Sequence, residues 1–73
     1  MDKPAFITAV AEILEADPTG LTGNEAISDI GNWDSLSVIT FVAMADADMD
    51  KIVDAERLKD AHTLNDLAAL VGL

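Results

Sequence analysis

The chain of 73 residues contains no cysteine and few basic residues. Without cysteine it has no disulfide, no thiolate nucleophile and no cysteine-ligated zinc, so its fold depends on packing. Four Lys and Arg residues stand against fourteen Asp and Glu residues, which gives a net charge of −10. This charge repels nucleic acid and anionic lipid but attracts basic protein surfaces, so we expect protein partners and no nucleic acid.

Long apolar runs are also absent. No wholly apolar run is longer than the five residues 41–45, and the first residues, Met1-Asp2-Lys3-Pro4, lead into no long apolar stretch. A transmembrane helix needs about 20 mostly apolar residues, and a signal peptide needs a basic segment followed by an apolar one. We therefore expect a cytoplasmic protein without membrane insertion. A chain this short forms one domain over residues 1–73, which we expect to be monomeric.

Half of the residues are apolar, and they recur with helical spacing. Phe6, Val10, Ile13 and Leu14 share one helical face and predict a helix over 3–16, with Asp2 as its cap. A long loop follows, in which a short turn is expected over 24–28. Further helices are predicted over 35–48, 54–61 and 64–71, and no strand pattern competes. The sequence therefore predicts an all-α fold, a small four-helix bundle of three main helices and one short helix.

The caps of the later helices can be read from the sequence. Asp34 or Ser35 starts the second long helix, and Asp54 starts the short one. Thr63 and Asp66 have the spacing of a capping box at the start of the last helix.

The second long helix carries two apolar stripes. Val38, Phe41, Val42, Ala45 and Met49 have the spacing of a buried face. Leu36, Ile39 and Ala43 form another stripe, rotated away from the first. Either the helix is central and buried over most of its surface, or the second stripe is exposed and binds partners. Spacing alone leaves both interpretations open.

Two further patterns imitate known sites. Residues 46–54 place acids as in a calcium loop, but Lys51 stands where glycine is needed and Arg57 where a bidentate glutamate is needed. Ser35 and the single histidine, His62, suggest a serine hydrolase, yet Ser35 lacks the flanking glycines of a nucleophile elbow. We therefore expect no catalytic residue and no metal site in this chain.

The segment GNWDSLSV, residues 31–38, contains two serines at the predicted start of a helix. Either Ser35 or Ser37 can serve simply to begin the helix, since Ser and Asp both favour this position. A helix N-terminus also stabilises an attached phosphate, because backbone amides and the helix dipole favour negative charge there. Ser35 is thus well placed for phosphorylation or phosphopantetheinylation, and position does not choose between them.

The triplet Asp34-Ser35-Leu36 resembles the Asp-Ser-Leu motif of acyl carrier proteins. The resemblance extends over essentially the whole chain: a first helix, a long loop ending in Gly-x-Trp-Asp-Ser-Leu, an apolar helix ending in acids, a short helix, and TLNDL at residues 63–67. The tryptophan just before Asp-Ser-Leu is similar to that of discrete carrier proteins of specialised pathways.

The resemblance implies that Ser35 is the attachment point for 4′-phosphopantetheine, transferred from coenzyme A by a phosphopantetheinyl transferase with magnesium. The arm's thiol would hold acyl groups as thioesters, so the domain would be a carrier that does not itself catalyse. Asp34 would help the transferase to engage the loop. Leu36 and Ile39, with Ala43 in the same stripe, would contact partners, and Asp46 would match one of the family's recognition acids.

Departures from the family pattern refine these expectations. Ser37, Thr40 and Ala47 stand where fatty acid carriers often have acids, and Ser37 is expected on the helix surface. Small or adaptable residues predict an acyl cleft between the second and third helices. Its expected lining is Phe41, Val42, Ala45, Met49 and Ala61.

We therefore expect a dedicated or specialised fatty acid, polyketide or acyl-transfer pathway, with acyl-loading and acyl-transferring enzymes that present basic docking surfaces. The alternatives are a peptidyl or aryl carrier, and an unmodified helical protein-interaction or calcium-responsive module.

Overall fold

Five helices are present in the computed structural model, which describes all residues 1–73. They are α1 (Lys3–Ile13), α2 (Ile27–Ile30), α3 (Ser35–Met49), α4 (Ala55–Leu58) and α5 (Leu64–Leu70). The only β pairing is an isolated antiparallel bridge between Ala26 and Thr63, so the all-α prediction is confirmed. Even the longest helix, α3 with 15 residues, lacks the length and apolar character that a membrane span requires.

Helix α1 begins where the sequence predicts and ends three residues earlier. Asp2 caps it by accepting a hydrogen bond from the Ala5 amide at 3.0 Å. At the other end Glu15 adopts a left-handed conformation with φ 57°, and the Ala16 amide donates to the Ala11 carbonyl at 2.8 Å. This is a Schellman ending, normally made with glycine. The predicted extension to residue 16 is wrong because the chain reverses at Glu15.

The long loop between α1 and α2 is fixed to the start of α5 by backbone hydrogen bonds. The Asn65 amide donates to the Gly23 carbonyl at 2.8 Å, and the Ile27 amide donates to the His62 carbonyl at 2.8 Å. The turn predicted over 24–28 is present as α2, shifted to Ile27–Ile30. These bonds anchor the last part of the loop and the start of α2, the helix that precedes the segment 31–34 leading into α3.

The Glu25 carboxylate shapes the same loop. It accepts hydrogen bonds from the backbone amides of Thr22 at 3.0 Å and Gly23 at 2.9 Å. These bonds, with that of Thr22 the largest cause, lower the pKa of Glu25 to about 2. The turn is therefore held by a charged side chain at neutral pH.

The core lies between α1, α3 and α5, with α4 packed against α3. At its centre the rings of Phe6 and Phe41 meet edge to face, with centroids 5.9 Å apart. Trp33 packs edge-on against Phe41 from the loop side at 6.0 Å. Both geometries are favourable for aromatic pairs and tie the loop before α3 to the core.

The last two helices are shorter than predicted. Helix α4 is a single turn capped by Asp54, and i→i+3 backbone bonds replace helical ones from Lys59 to Ala61. The prediction of a helix to residue 61 is wrong because the chain leaves the helix to pair with the α2 region. The His62 carbonyl accepts the Ile27 amide, and Thr63 forms a β-bridge with Ala26. The capping box of Thr63 and Asp66 is confirmed at the start of α5.

Candidate functional site

The start of α3 is built by a network around Asp34. Asp34 is the cap residue in extended conformation, and its Oδ1 atom accepts the Ser37 amide at 2.9 Å and the Ser37 hydroxyl at 3.0 Å. Its Oδ2 atom accepts the Asn32 side-chain amide at 3.3 Å. The hydrogen bonds from the Ser37 amide and hydroxyl lower the pKa of Asp34 below its ordinary value. Asp34 is therefore a charged cap at neutral pH.

Ser37 is part of this network and is only 7% exposed. Its hydroxyl lies 3.0 Å from the Asn32 carbonyl and 3.0 Å from Asp34 Oδ1, and it can donate to either. The expectation that Ser37 lies on the helix surface is wrong. The loop at Asn32 folds over the first turn of α3 and covers the side chain, which spacing along the helix does not reveal.

Ser35 has the opposite environment. It is the first residue of α3, its side chain is exposed, and its hydroxyl makes no hydrogen bond within the chain. The hydroxyl lies beside the amide end of a 15-residue helix, where negative charge is favoured. The two serines thus differ: the Ser37 hydroxyl is hydrogen-bonded within the fold, whereas the Ser35 hydroxyl is exposed and has no partner in the chain.

Ser35 also lies on a groove between the start of α3 and α4, with a volume of about 580 Å³. We name it the serine groove. Six apolar residues line it: Trp33, Val38, Ile39, Ala55, Leu58 and Ala61. Asp34 and Lys59 are the two charged residues in the lining. The groove therefore offers an apolar surface directly beside the free hydroxyl.

Of the five residues predicted to line an acyl cleft, only Ala61 lines the serine groove. Phe41 and Ala45 are fully buried in the core, whereas Val42 and Met49 are half-buried against it. Helix geometry explains this placement. Phe41 lies about 300° round the helix from Val38, toward α1, and Ala45 lies about 10 Å further along the helix axis than Val38.

The predicted cleft did not include the groove residues Trp33, Val38, Ala55, Leu58 and Lys59, nor Ile39, which was assigned to the exposed stripe. A tryptophan immediately before the helix cap was the available signal. The position of α4 was not available from the sequence, because its length and docking depend on the extended segment that follows it.

The second apolar stripe of α3 is exposed, which decides between the two interpretations of the helix. Leu36 is 71% exposed and Ile39 is 65% exposed, and Ala43 also faces solvent. Asp46, one turn further along, is exposed as well. The structure thus brings an apolar stripe with an acid at its end to the surface on the helix that begins at Ser35.

The acids of residues 46–54 do not converge. Helix α3 continues through Met49, so Asp46 and Asp48 lie on a regular helix, and Asp50 follows in a left-handed conformation. No group of three or more His, Asp or Glu side chains is arranged to hold a metal ion.

His62, the other residue of the hydrolase-like pattern, is exposed and lies in the extended segment between α4 and α5. It does not line the serine groove.

The model of the family described as "Phosphopantetheine attachment site" matches residues 4–71 of the chain. The chain belongs to this family. A phosphopantetheine-attachment domain carries 4′-phosphopantetheine covalently, so the protein is a carrier of this group. No match was found among curated proteins, nor among solved structures. The helical fold and the cofactor expected from the sequence are confirmed.

Proposed function

We propose that residues 1–73 form a single acyl carrier domain that bears 4′-phosphopantetheine on Ser35. The observation that carries this proposal is the contrast between the two serines. Ser35 presents an exposed hydroxyl without a partner in the chain, whereas the Ser37 hydroxyl is buried and hydrogen-bonded. Only the first can reach the active site of a transferase without unfolding the start of α3.

The surroundings of Ser35 fit the group. In the transfer, Ser35 Oγ forms a bond to the β-phosphorus of coenzyme A, the one that carries pantetheine, as the pyrophosphate P–O bond breaks. The hydroxyl gives up its proton and 3′,5′-ADP leaves. The new phosphodiester would lie at the amide end of α3, which favours negative charge. The serine groove supplies about 580 Å³ of mostly apolar space next to it.

When bound, the group supplies a terminal thiol, which this cysteine-free chain lacks, and holds acyl groups there as thioesters. The residues of the chain position this chemistry and do not perform it. Asp34 fixes the start of α3 through Ser37, so that the Ser35 hydroxyl has a constant position relative to the helix. We assign Asp34 a supporting role in the approach of the transferase and its magnesium ion.

Partner enzymes would dock on the exposed stripe of α3. Leu36 and Ile39 offer apolar contacts, Ala43 allows close approach, and Asp46 adds a charge. With a net charge of −10, the protein attracts partners with basic surfaces and raises their association rate. These partners are a phosphopantetheinyl transferase and enzymes that load and transfer acyl groups in a dedicated fatty acid, polyketide or acyl-transfer pathway. We further propose that the protein is a monomer and that it acts in the cytoplasm.

An acyl chain lying in the serine groove would contact Leu58 and Ala61 first. Ala45 and Met49, which the sequence analysis assigned to the cleft, lie further along α3 and would be reached only by longer chains. Nuclear magnetic resonance of the protein loaded with acyl chains of increasing length tests this order. The resonances of Ala61 should shift with the shortest chains, and those of Ala45 and Met49 only with longer ones. Equal shifts at Ala61, Ala45 and Met49 with a short chain would contradict this order.

The exposed stripe also suits an unmodified protein-interaction module, because Leu36 and Ile39 need no attached group to bind a partner. One experiment separates the two functions. The protein is incubated with coenzyme A, magnesium and a broad-specificity phosphopantetheinyl transferase, and its intact mass is measured. We expect a gain of one phosphopantetheine. An unchanged mass would reject the carrier function and leave the interaction module.

Two serine variants serve as matched controls in that experiment. Ser35→Ala should show no gain in mass, because the reacting hydroxyl is removed. Ser37→Ala should still gain one group, because Ser35 remains exposed. If the gain in mass were lost in Ser37→Ala and kept in Ser35→Ala, the group would be attached to Ser37, which would contradict the proposal.

A further inference from the structure

The four cations of this chain are spread over its surface, and only one lies near Ser35. Lys3 lies beside Gly23 at the start of α1, and Lys51 is exposed in the segment between α3 and α4. Arg57 lines a different cavity, of about 170 Å³, together with two aspartates. Lys59, in contrast, lines the serine groove together with Ser35.

Lys59 has a partner that it can leave at little cost. Its Nζ atom lies 3.2 Å from Glu56 Oε1, and both side chains are largely exposed and lie three residues apart. Such a surface pair contributes roughly 0–1 kcal/mol, because water and salt screen it. The other charged residue of the groove, Asp34, already accepts the Ser37 amide and hydroxyl. Asp34 is itself an anion, so Lys59 is the only charged residue of the lining that can pair with an added anion.

We propose that Lys59 exchanges Glu56 for the phosphodiester on Ser35 and so ties α4 to the start of α3 in the modified protein. The inference rests on the proposed function, since the phosphate reaches the groove only through attachment to Ser35. A lysine ammonium is a compact charge on a flexible stem, which suits a phosphate at the rim of a groove.

The pair has a consequence for the groove. Lys59 is the residue that ends α4, a helix of only four residues, and Leu58 beside it forms part of the groove wall. Attachment of the group would therefore hold this wall in place. In the unmodified protein the wall depends on the packing of Leu58 and on the exposed Glu56 pair.

The test compares the thermal midpoint of each protein with and without the attached group. Wild type, Lys59→Gln and Lys51→Gln are each loaded to completion with excess transferase, as checked by intact mass. We expect a gain of a few degrees on loading in wild type and in Lys51→Gln. In Lys59→Gln the gain should fall by more than half. Because each variant is compared with its own unmodified form, a purely structural effect of the substitution cancels.

Salt provides a second measurement on the same samples. The gain in wild type should shrink between about 0.05 and 1 M salt, as for a partly exposed ion pair, and the residual gain in Lys59→Gln should change less. Glu56→Gln should keep or increase the gain, since it removes the competing carboxylate.

The outcomes separate the two proposals. If wild type gains no mass, the carrier function fails. If it gains mass and Lys59→Gln keeps the full thermal gain, the function stands and the role of Lys59 is overturned. If Lys59→Gln cannot be loaded at all, Lys59 acts in transferase recognition, which also overturns the pairing proposed here.

Discussion

Replacing Ser37 with alanine tests the network that positions Ser35. Ser37 is only 7% exposed, and its hydroxyl lies 3.0 Å from both the Asn32 carbonyl and Asp34 Oδ1. The substitution removes this link and leaves the Asp34 carboxylate with the Ser37 backbone amide and the Asn32 side-chain amide as its donors. We expect a less stable protein in which Ser35 is still modified.

The magnitude follows from two opposing effects. Loss of a buried hydrogen bond costs about 0.5–1.5 kcal/mol, and the higher values for charged partners do not apply because Asp34 is exposed to solvent. Alanine favours the helix more than serine does and returns up to about 0.5 kcal/mol. The net loss is therefore about 0.5–1 kcal/mol, which lowers the midpoint of a domain this size by roughly 2–8 °C.

Urea and thermal unfolding, followed by circular dichroism, measure this loss. Thr40→Ala is the matched control, because its hydroxyl is exposed and donates only to the Leu36 carbonyl within the same helix, at 2.8 Å. It should leave stability unchanged or slightly raise it. Equal stabilities of Ser37→Ala and wild type would refute the structural role of the buried hydroxyl.

Three other perturbations have distinct outcomes. Phe41→Ala should cost about 3–5 kcal/mol in urea unfolding, because Phe41 is 0% exposed and joins two aromatic contacts, whereas Leu36→Ala should change stability little. Stability should fall as the pH drops from about 4.5 toward 2, because the pKa of Glu25 is lowered to about 2 in the fold and protonation of its carboxylate releases the turn. Glu25→Gln should therefore be less stable than wild type at pH 7, and its stability should depend less on pH in the acid range. Glu15→Gly should stabilise the protein by on the order of 1 kcal/mol, since its φ of 57° suits glycine, whereas Glu12→Gly inside α1 should destabilise it.

Each of these has a contrary result. A small loss in Phe41→Ala would mean that the aromatic centre of the core is packed differently. A flat stability profile below pH 4.5 in wild type would contradict the charged turn at Glu25. Destabilisation by Glu15→Gly would contradict the left-handed ending of α1.

Features that depend on neighbours in sequence were predictable. The cap at Asp2 and the capping box of Thr63 and Asp66 follow from a few adjacent residues, and both are confirmed. The predicted face of α1 is buried at Phe6, Val10 and Leu14, whereas Ile13 is half-buried. The start of α3 was narrowed to Asp34 or Ser35, and the structure assigns the cap to Asp34. These choices are local because the hydrogen bonds that decide them span three or four residues.

Features that depend on the path of a loop were not predictable. Ser37 is covered because Asn32 folds back over α3, in a segment that also packs Trp33 against Phe41. The position of the serine groove likewise depends on where the single turn of α4 docks. Periodicity places residues on a helix face but does not say which element, if any, covers that face.

Fragmentation mass spectrometry can locate the phosphopantetheine group and so test whether it is attached at Ser35. The protein is modified by a transferase, digested, and the peptide that contains Ser35 and Ser37 is fragmented between them. If the group is attached at Ser35, fragments that contain Ser35 but not Ser37 carry the added mass. An added mass found only on fragments that contain Ser37, or on a different peptide, would contradict it.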